Sequence, residues 1–521
     1  MIHATLRRQA ALVLALLTGT ALAGTADHTK FKELQGPFGP GPEVTQACLA
    51  CHNKAGHQVM KSIHWTWEAK VDGRKLGKKH AANSFCGSPI SNEPRCTSCH
   101  AGYNWTDRHF DFNKQENVDC LACHDTTGTY EKIATDAGHP LYLPRELPKG
   151  SGKIKQPPDL AKVAQQVGKS GRQNCGACHF NGGGGDAVKH GDLDTSLIDP
   201  PRKLDVHMAK DGANLRCADC HTFNDHQPSG SRYAVRAKDP HGKDLPKDDH
   251  DRATCESCHG QTPHAQEQIN IHTRKVACQT CHIPEFARGG IATKTLWDWS
   301  TAGKRGPDGK PLFIKGEHGH LKYSAEKGDF EYGENVRPTY KWYNGTVRQV
   351  TMTDKIDDST ILELNAVEGS AADPKARIWP FKVMVGKQPY DPVNKTLVVN
   401  HVFGQDDTAF WTHFDYAKAI QAGMATAGLP YSGQYAFIET RMNWFITHMV
   451  APKEDAVPCQ DCHTRSENGR LKDITDLYLP GRDRNDWIDL FGLLAIAGAL
   501  FVGLGHGLVR FLTRHKRSPQ S

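Results

Sequence analysis

The chain has 521 residues, with 64 Lys and Arg against 58 Asp and Glu for a formal charge of +6. Only 38% of its residues are hydrophobic and the mean hydropathy is −0.58, which is too polar for a chain of this length to build an ordinary core. The charge is near balance, and a nucleic-acid partner finds no support in it.

Arg7 and Arg8 lead an apolar run, Ala10 to Leu17, and Ala21-Leu22-Ala23 supplies the small residues of a signal peptidase site. Residues 1–23 therefore read as a cleaved export signal and residues 24–485 as a periplasmic domain. From Cys48 onward the pattern C-x-x-C-H occurs eight times, at Cys48/Cys51/His52, Cys96/Cys99/His100, Cys120/Cys123/His124, Cys175/Cys178/His179, Cys217/Cys220/His221, Cys255/Cys258/His259, Cys278/Cys281/His282 and Cys459/Cys462/His463. These motifs absorb sixteen of the 17 cysteines and leave Cys86. Two thiols at this spacing add to both vinyl groups of one porphyrin, and the adjacent histidine reaches the iron from below. Zinc sites or a disulfide framework do not account for eight copies in series. Eight covalent haem c groups are the expectation. Their apolar faces would serve as the core that the composition lacks, and their propionates, about sixteen negative charges, would pair with many Lys and Arg residues.

Motifs one to seven fall between Cys48 and His282 with Gly, Pro and Asp between them, so little regular structure is expected there. The 176 residues from Ile283 to Pro458 hold no motif. Within them Tyr340-Lys-Trp-Tyr343 and Thr346-Val-Arg-Gln-Val350 flank Asn344-Gly345, a hairpin signature. A helix is expected around Thr408 to Ala427. Another is expected from about Gln434 to Met449, where Ile438, Met442, Phe445 and Met449 recur at helical spacing. The fold class expected is mainly α with extensive irregular structure, a multihaem cytochrome c fold wrapped around eight haems, with small β-hairpin content. Leu490 to Leu508 matches the roughly 20 apolar residues that a bilayer requires. Asp486, Trp487 and Asp489 precede it and Arg510, Arg514, Lys516 and Arg517 follow it. Residues 486–513 are thus expected to cross the inner membrane, leaving 514–521 as a cytoplasmic basic tail.

Eighteen histidines lie outside the motifs and the two ends, and eight distal iron positions need filling if every haem is capped on both faces. Any one of them also reads as a surface or propionate contact. Flanking apolar or turn residues favour His64, His139, His190, His207, His264, His272, His413 and His448 as distal ligands. His57, His226 and His264 each follow a motif histidine by five residues, which keeps them on that haem's proximal side, so each could cap only a neighbouring haem.

Two further segments bear on catalysis. Cys86 precedes Gly87-Ser88-Pro89, a turn able to hold a thiol at a pocket wall; the alternative is a small buried hydrophobe. In Phe180-Asn-Gly182-Gly-Gly-Gly185-Asp-Ala-Val-Lys189-His190, four glycines permit close backbone approach and deliver an amine beside an imidazole. A lysine amine can ligate haem iron; the alternative is a flexible loop with a solvated lysine.

The eight motifs, the extra cysteine before the second, Asp125-Thr-Thr-Gly-Thr-Tyr130 after the third, Cys175-Gly-Ala-Cys-His-Phe-Asn-Gly-Gly-Gly-Gly-Asp186 at the fourth and Cys278-Gln-Thr-Cys-His-Ile-Pro-Glu-Phe-Ala-Arg-Gly-Gly290 at the seventh together resemble the octahaem tetrathionate reductase family, from about Gly36 to Arg482. The resemblance implies a periplasmic reductase whose substrate is a small inorganic anion, tetrathionate or nitrite, or hydroxylamine. It implies that the catalytic haem is the one on Cys96, Cys99 and His100, that a lysine from elsewhere ligates its iron, and that Cys86 lies beside it. Lys189 is the first choice for that lysine and Lys153, in Gly-Ser-Gly-Lys, the second. Calcium is a further candidate cofactor, with no ligand set assigned. The C-terminal span is not part of the resemblance; it implies electrons from the quinone pool through a separate quinol-oxidising membrane cytochrome. The competing reading is a conduit that passes electrons without catalysis.

Overall fold

The computed structural model describes residues 26–85, 87–230 and 253–514. The expected export signal, Cys86 and residues 515–521 lie outside the described residues.

Through the first seven motifs the described residues form turns joining short helices, with three short two-stranded hairpins among them, as the Gly- and Pro-rich spacers predict. The attachment motifs coincide with those helices: Gly41–Leu49 delivers Cys48, Arg172–His179 contains the fourth motif, Cys278–His282 is the seventh and Cys459–Cys462 opens the eighth. A helical turn places cysteines three apart on one face. That is the geometry needed to reach one porphyrin edge.

The motif-free stretch forms a nine-stranded sheet. Its strands are β1 (Thr293–Asp298), β2 (Phe313–Lys315), β3 (Leu321–Ser324), β4 (Gly328–Gly333), β5 (Thr339–Tyr343), β6 (Leu362–Glu363), β7 (Arg377–Asp391), β8 (Thr396–Leu397) and β9 (Ala436–Phe445). The order is β6-β9-β7-β1-β4-β3-β2, with β5 and β8 also pairing β7. The 15-residue β7 organises the sheet: it runs antiparallel to β9 from Phe381↔Phe445 to Tyr390↔Ala436 and parallel to β1 through Val385↔Leu296.

Two local expectations are corrected here. Residues 436–445 are strand β9 and not part of a helix. Ile438, Thr440, Met442 and Trp444 are buried while Glu439 and Arg441 are exposed, which is a period of two. Ile438 and Met442, four apart, satisfy both periods, and the aromatic and β-branched content decides for the strand. The Asn344-Gly345 turn forms, with Gly345 at φ 104, but the segments flanking it do not pair with each other. β5 pairs β7, and Val347–Gln349 pairs Asn365–Val367. The helix expected at 408–427 is present in two pieces, Phe410–His413 and Tyr416–Ala427, separated by Phe414 at φ 61 and started again by the Asp415 side chain, which accepts from Lys418 N–H.

The sheet also has an apolar core of its own. Trp297, Trp299, Met384, Phe410, Ile420, Met442 and Trp444 belong to one buried cluster. The hydrophobic residues are therefore concentrated in the motif-free half, and the overall polarity reflects the motif-bearing half.

Helix Asp486–Thr513 has 28 residues and a mean hydropathy of 2.1 over its most apolar window, none of which is buried. It is long and apolar enough to cross a membrane. Arg465, two residues after the eighth motif, lies 3.9 Å from Asp489 in its first turn.

Candidate haem chain and second-motif site

Seven of the eight motif histidines face a second imidazole. Ring centres are 6.2 Å apart for His52 and His28, 6.5 Å for His124 and His226, and 6.2 Å for His179 and His64. The separations are 6.2 Å for His221 and His448 and 6.0 Å for each of His259 with His207, His282 with His264 and His463 with His272. A metal bonded to two imidazole nitrogens at about 2 Å each holds ring centres about 6 Å apart. These pairs therefore fit one iron between each.

The outward nitrogens support that orientation. Nδ1 meets the carbonyl oxygen of Gly168 for His124 (2.8 Å), of Ser229 for His221 (3.2 Å), of Gln268 for His272 (2.7 Å) and of Pro480 for His463 (2.7 Å). His226 Nδ1 meets the Gln58 side-chain oxygen at 3.0 Å and His448 Nδ1 the Asp192 carboxylate at 3.1 Å. An Nδ1–H donated outward fixes the tautomer and directs Nε2 at the partner ring.

The attachment cysteines abut in a continuous series. Thiols lie within hydrogen-bonding reach between Cys48 and Cys120, Cys99 and Cys178, Cys175 and Cys217, and Cys255 and Cys278. Cys123 is an electrostatic neighbour of Cys178, Cys220 of Cys258, and Cys281 of Cys462. The motifs thus follow one another in space as one, three, four, five, six, seven, eight. The second joins the fourth as a branch.

Four of the cysteines expected to attach haem stand exposed, Cys51, Cys123, Cys258 and Cys459, while the other twelve are half-buried. Cys51 is one of these four. The protein chain does not enclose it as it encloses Cys48, because helix Gly41–Leu49 ends just before it and the first motif stands at the end of the series. The backbone still turns, with Cys51 N–H donating to the Cys48 carbonyl at 3.2 Å and His52 N–H to the same oxygen at 2.8 Å. Cys51, expected from its motif to attach haem, therefore lies at the surface.

The second motif stands apart from the other seven. His100 is 1% exposed, and its ring centre lies 4.9 Å from Trp65, 5.5 Å from Trp67, 4.8 Å from Trp105, 5.5 Å from Phe110 and 6.3 Å from Phe112. Its Nε2, not Nδ1, is the nitrogen engaged, 2.7 Å from the Trp65 carbonyl oxygen. Nδ1 is buried without a partner among the described residues. Burial holds the imidazole neutral, its pKa pushed down to about 3. Two lysines reach this motif. Lys78 Nζ donates to the Cys96 carbonyl at 3.1 Å and sits 3.8 Å over the Trp67 ring. Lys132 is clamped by Asp119 at 3.1 Å and by the carbonyls of His100 and Gly102.

The glycine-rich loop after the fourth motif packs against the same region. A Cβ on Gly183, at φ 80, would fall 2.9 Å from the Phe85 ring, and one on Gly184 would fall 3.9 Å from Arg95 Nη2. Fully buried Lys382 donates to the Val188 and Lys189 carbonyls at 3.1 Å each and to Thr293 Oγ1 at 2.6 Å. Burial pushes its pKa down to about 7. Lys189 then projects 5.0 Å from the Trp444 ring centre, close enough for its charge to act on His179.

Of the eight histidines expected as distal ligands, His64, His207, His264, His272 and His448 face motif histidines. His139, His190 and His413 do not. Both ring nitrogens of His139 are taken, by Tyr142 Oη at 2.6 Å and Asn104 Oδ1 at 2.8 Å. His190 packs on Trp444 at 5.0 Å, and His413 is exposed at the end of its short helix. The facing positions left over are taken by His28 and His226. Lys153 stands exposed beside a two-residue hairpin strand, Ile154–Lys155, and among the described residues Lys78 and Lys132 reach the second motif. For calcium, no group of three or more His, Cys, Asp or Glu among the described residues is arranged to hold a metal ion.

Eight thioether-type attachment motifs, seven of them with a paired imidazole, define a multihaem c-type cytochrome, with covalent haem c as its cofactor. Residues 294–466 match the family described as bacterial cytochrome c. The crystal structure of an octahaem cytochrome c from Shewanella oneidensis is 41% identical, with a TM-score of 0.76, covering 88% of this chain and 98% of that one. No curated protein matches. The chain belongs to the octahaem tetrathionate reductase family of multihaem c-type cytochromes.

Proposed function

We propose that the protein is a periplasmic reductase, anchored to the inner membrane by helix 486–513, which reduces tetrathionate to thiosulfate, or nitrite and hydroxylamine to ammonium, at its second motif. The haems, eight by motif count, supply one-electron transfer and, at one position, an iron open to substrate. The observation that carries this reading is the difference between seven motif histidines facing imidazoles and His100, which faces none among the described residues. At the seven paired positions two of the chain's own imidazoles would hold the iron, which would leave no room for an exogenous ligand.

The order of abutting motifs supplies the route. The eighth motif adjoins the membrane helix through Arg465 and Asp489, which suits electron delivery there by a quinol-oxidising membrane cytochrome. From there the series runs seven, six, five and four before branching to the second. Lys189 is retained as the amine of the substrate end because its loop packs on Phe85 and approaches Arg95. The cations Lys78 and Arg95 around this motif suit an anionic substrate, Lys132 being paired with Asp119.

For tetrathionate, Cys86 as thiolate attacks a central sulfur, the central sulfur–sulfur bond breaks and one thiosulfate leaves. Two electrons then cleave the bond from Cys86 to the remaining sulfur and release the second thiosulfate. Substitution C86S tests this assignment with turnover of all three substrates measured in parallel. Loss of tetrathionate reduction with nitrite and hydroxylamine turnover spared supports it. Equal loss or equal retention of all three rejects the thiol as nucleophile, and a wild-type protein that turns over none of them is the electron conduit.

A further inference from the structure

Of the six paired histidines whose Nδ1 is hydrogen-bonded, five meet a carbonyl or amide oxygen, and only His448 meets a carboxylate. That carboxylate, Asp192, is 1% exposed. Its Oδ2 accepts from the backbone N–H of Thr447 at 2.7 Å and of His448 at 3.0 Å, and from His448 Nδ1 at 3.1 Å. Among the described residues, Oδ1 is buried without a hydrogen-bond partner, and no Lys or Arg forms an ion pair with the group. Lys382, the cation that senses it, spends its donors on two carbonyls and a hydroxyl. His448 is thus the imidazole that the carboxylate contacts, while its charge also acts on Lys382 and Asp194.

A carboxylate accepting from Nδ1–H raises the basicity of the other ring nitrogen and so strengthens its donation to a metal. A buried anion also favours the more positive oxidation state of a nearby ion, because little solvent screens it. Both effects favour ferric over ferrous iron and lower the reduction potential. Resting on the ligation read above, we propose that Asp192 makes the fifth-motif site, between His221 and His448, the lowest-potential of the imidazole-paired sites. The fifth motif lies between the membrane-side motifs six to eight and the fourth motif that leads to the second. Its low potential puts an uphill step in the middle of the electron route. Electrons accumulate on the membrane side and cross as the substrate end is emptied.

The experiment is a spectropotentiometric titration of the full-length haem-loaded protein, followed by electron paramagnetic resonance, for wild type, D192N, D192E and H448M. H448M identifies the fifth-motif couple by altering one low-spin signal; if it alters none, the ligation reading fails independently of Asp192. D192N keeps the side-chain volume and removes the charge. It is expected to shift that one couple upward by at least a tenfold change in the ferric-to-ferrous preference, about 59 mV for one electron. D192E, whose carboxylate is displaced, is expected to shift the same couple in the same direction by less. Unchanged potential of that couple in both variants, or a shift in a different couple, overturns the proposal.

Discussion

His100 Nε2 lies 2.7 Å from the Trp65 carbonyl oxygen, whereas its counterpart in the third motif, His124, turns Nδ1 to a carbonyl and faces the ring of His226. The same five-residue motif therefore presents its histidine in two opposite senses. The difference comes from the surroundings, since Trp65, Trp67, Trp105 and two phenylalanines enclose His100 where a second imidazole stands elsewhere.

The pairing predicts which histidines matter to the spectrum. H226A removes the partner of His124, so one low-spin species should be lost and one high-spin species gained, while covalent attachment keeps the haem content constant. H139A, at a ring already bound to Tyr142 and Asn104, should leave the spectrum unchanged. Magnetic circular dichroism on both variants checks this.

Glu93 sets a pH-dependent stability term. It is 5% exposed, and burial, with Asp107 nearby, pushes its pKa up to about 7. Between the unfolded value of about 4.3 and about 7 the native protein binds more protons than the unfolded chain, so stability falls as pH rises through that window. E93Q removes the effect. Its unfolding free energy should equal that of wild type near pH 4 and exceed it by about 3 kcal/mol at pH 8, measured by denaturant titration.

Truncation before Asp486 tests the anchor. The shortened protein should appear in the soluble periplasmic fraction with unaltered haem spectra, because the removed helix buries nothing against the body in its most apolar window. Membrane retention of the truncated form would place the attachment elsewhere.

Haem attachment was legible in sequence because it is local: five residues define each motif. How deeply each cysteine lies was not, since the exposure of Cys51 depends on where helix Gly41–Leu49 stops and on what packs over it. The distal partners are long-range, and legibility there depended on accident. His264 and His226 follow a motif histidine too closely to cap the same haem, a constraint that pointed both to neighbours. His28, 24 residues before His52 in a stretch with no other signal, left no trace in the sequence. His139 sat among turn residues that suggested a fixed ligand, but Tyr103, Tyr142 and Asn104 fix it instead. β9 has a helical pattern in sequence because Ile438 and Met442 fit two periodicities, and pairing with the 15-residue β7 decides between them. The Asp192 contact with His448 joins residues 256 apart, beyond any local pattern.

Electron paramagnetic resonance and magnetic circular dichroism of the purified, fully loaded wild-type protein bear most directly on the unequal second motif. Seven bis-imidazole low-spin centres and one centre with amine ligation or high-spin character are the result predicted. Eight bis-imidazole low-spin centres would contradict it.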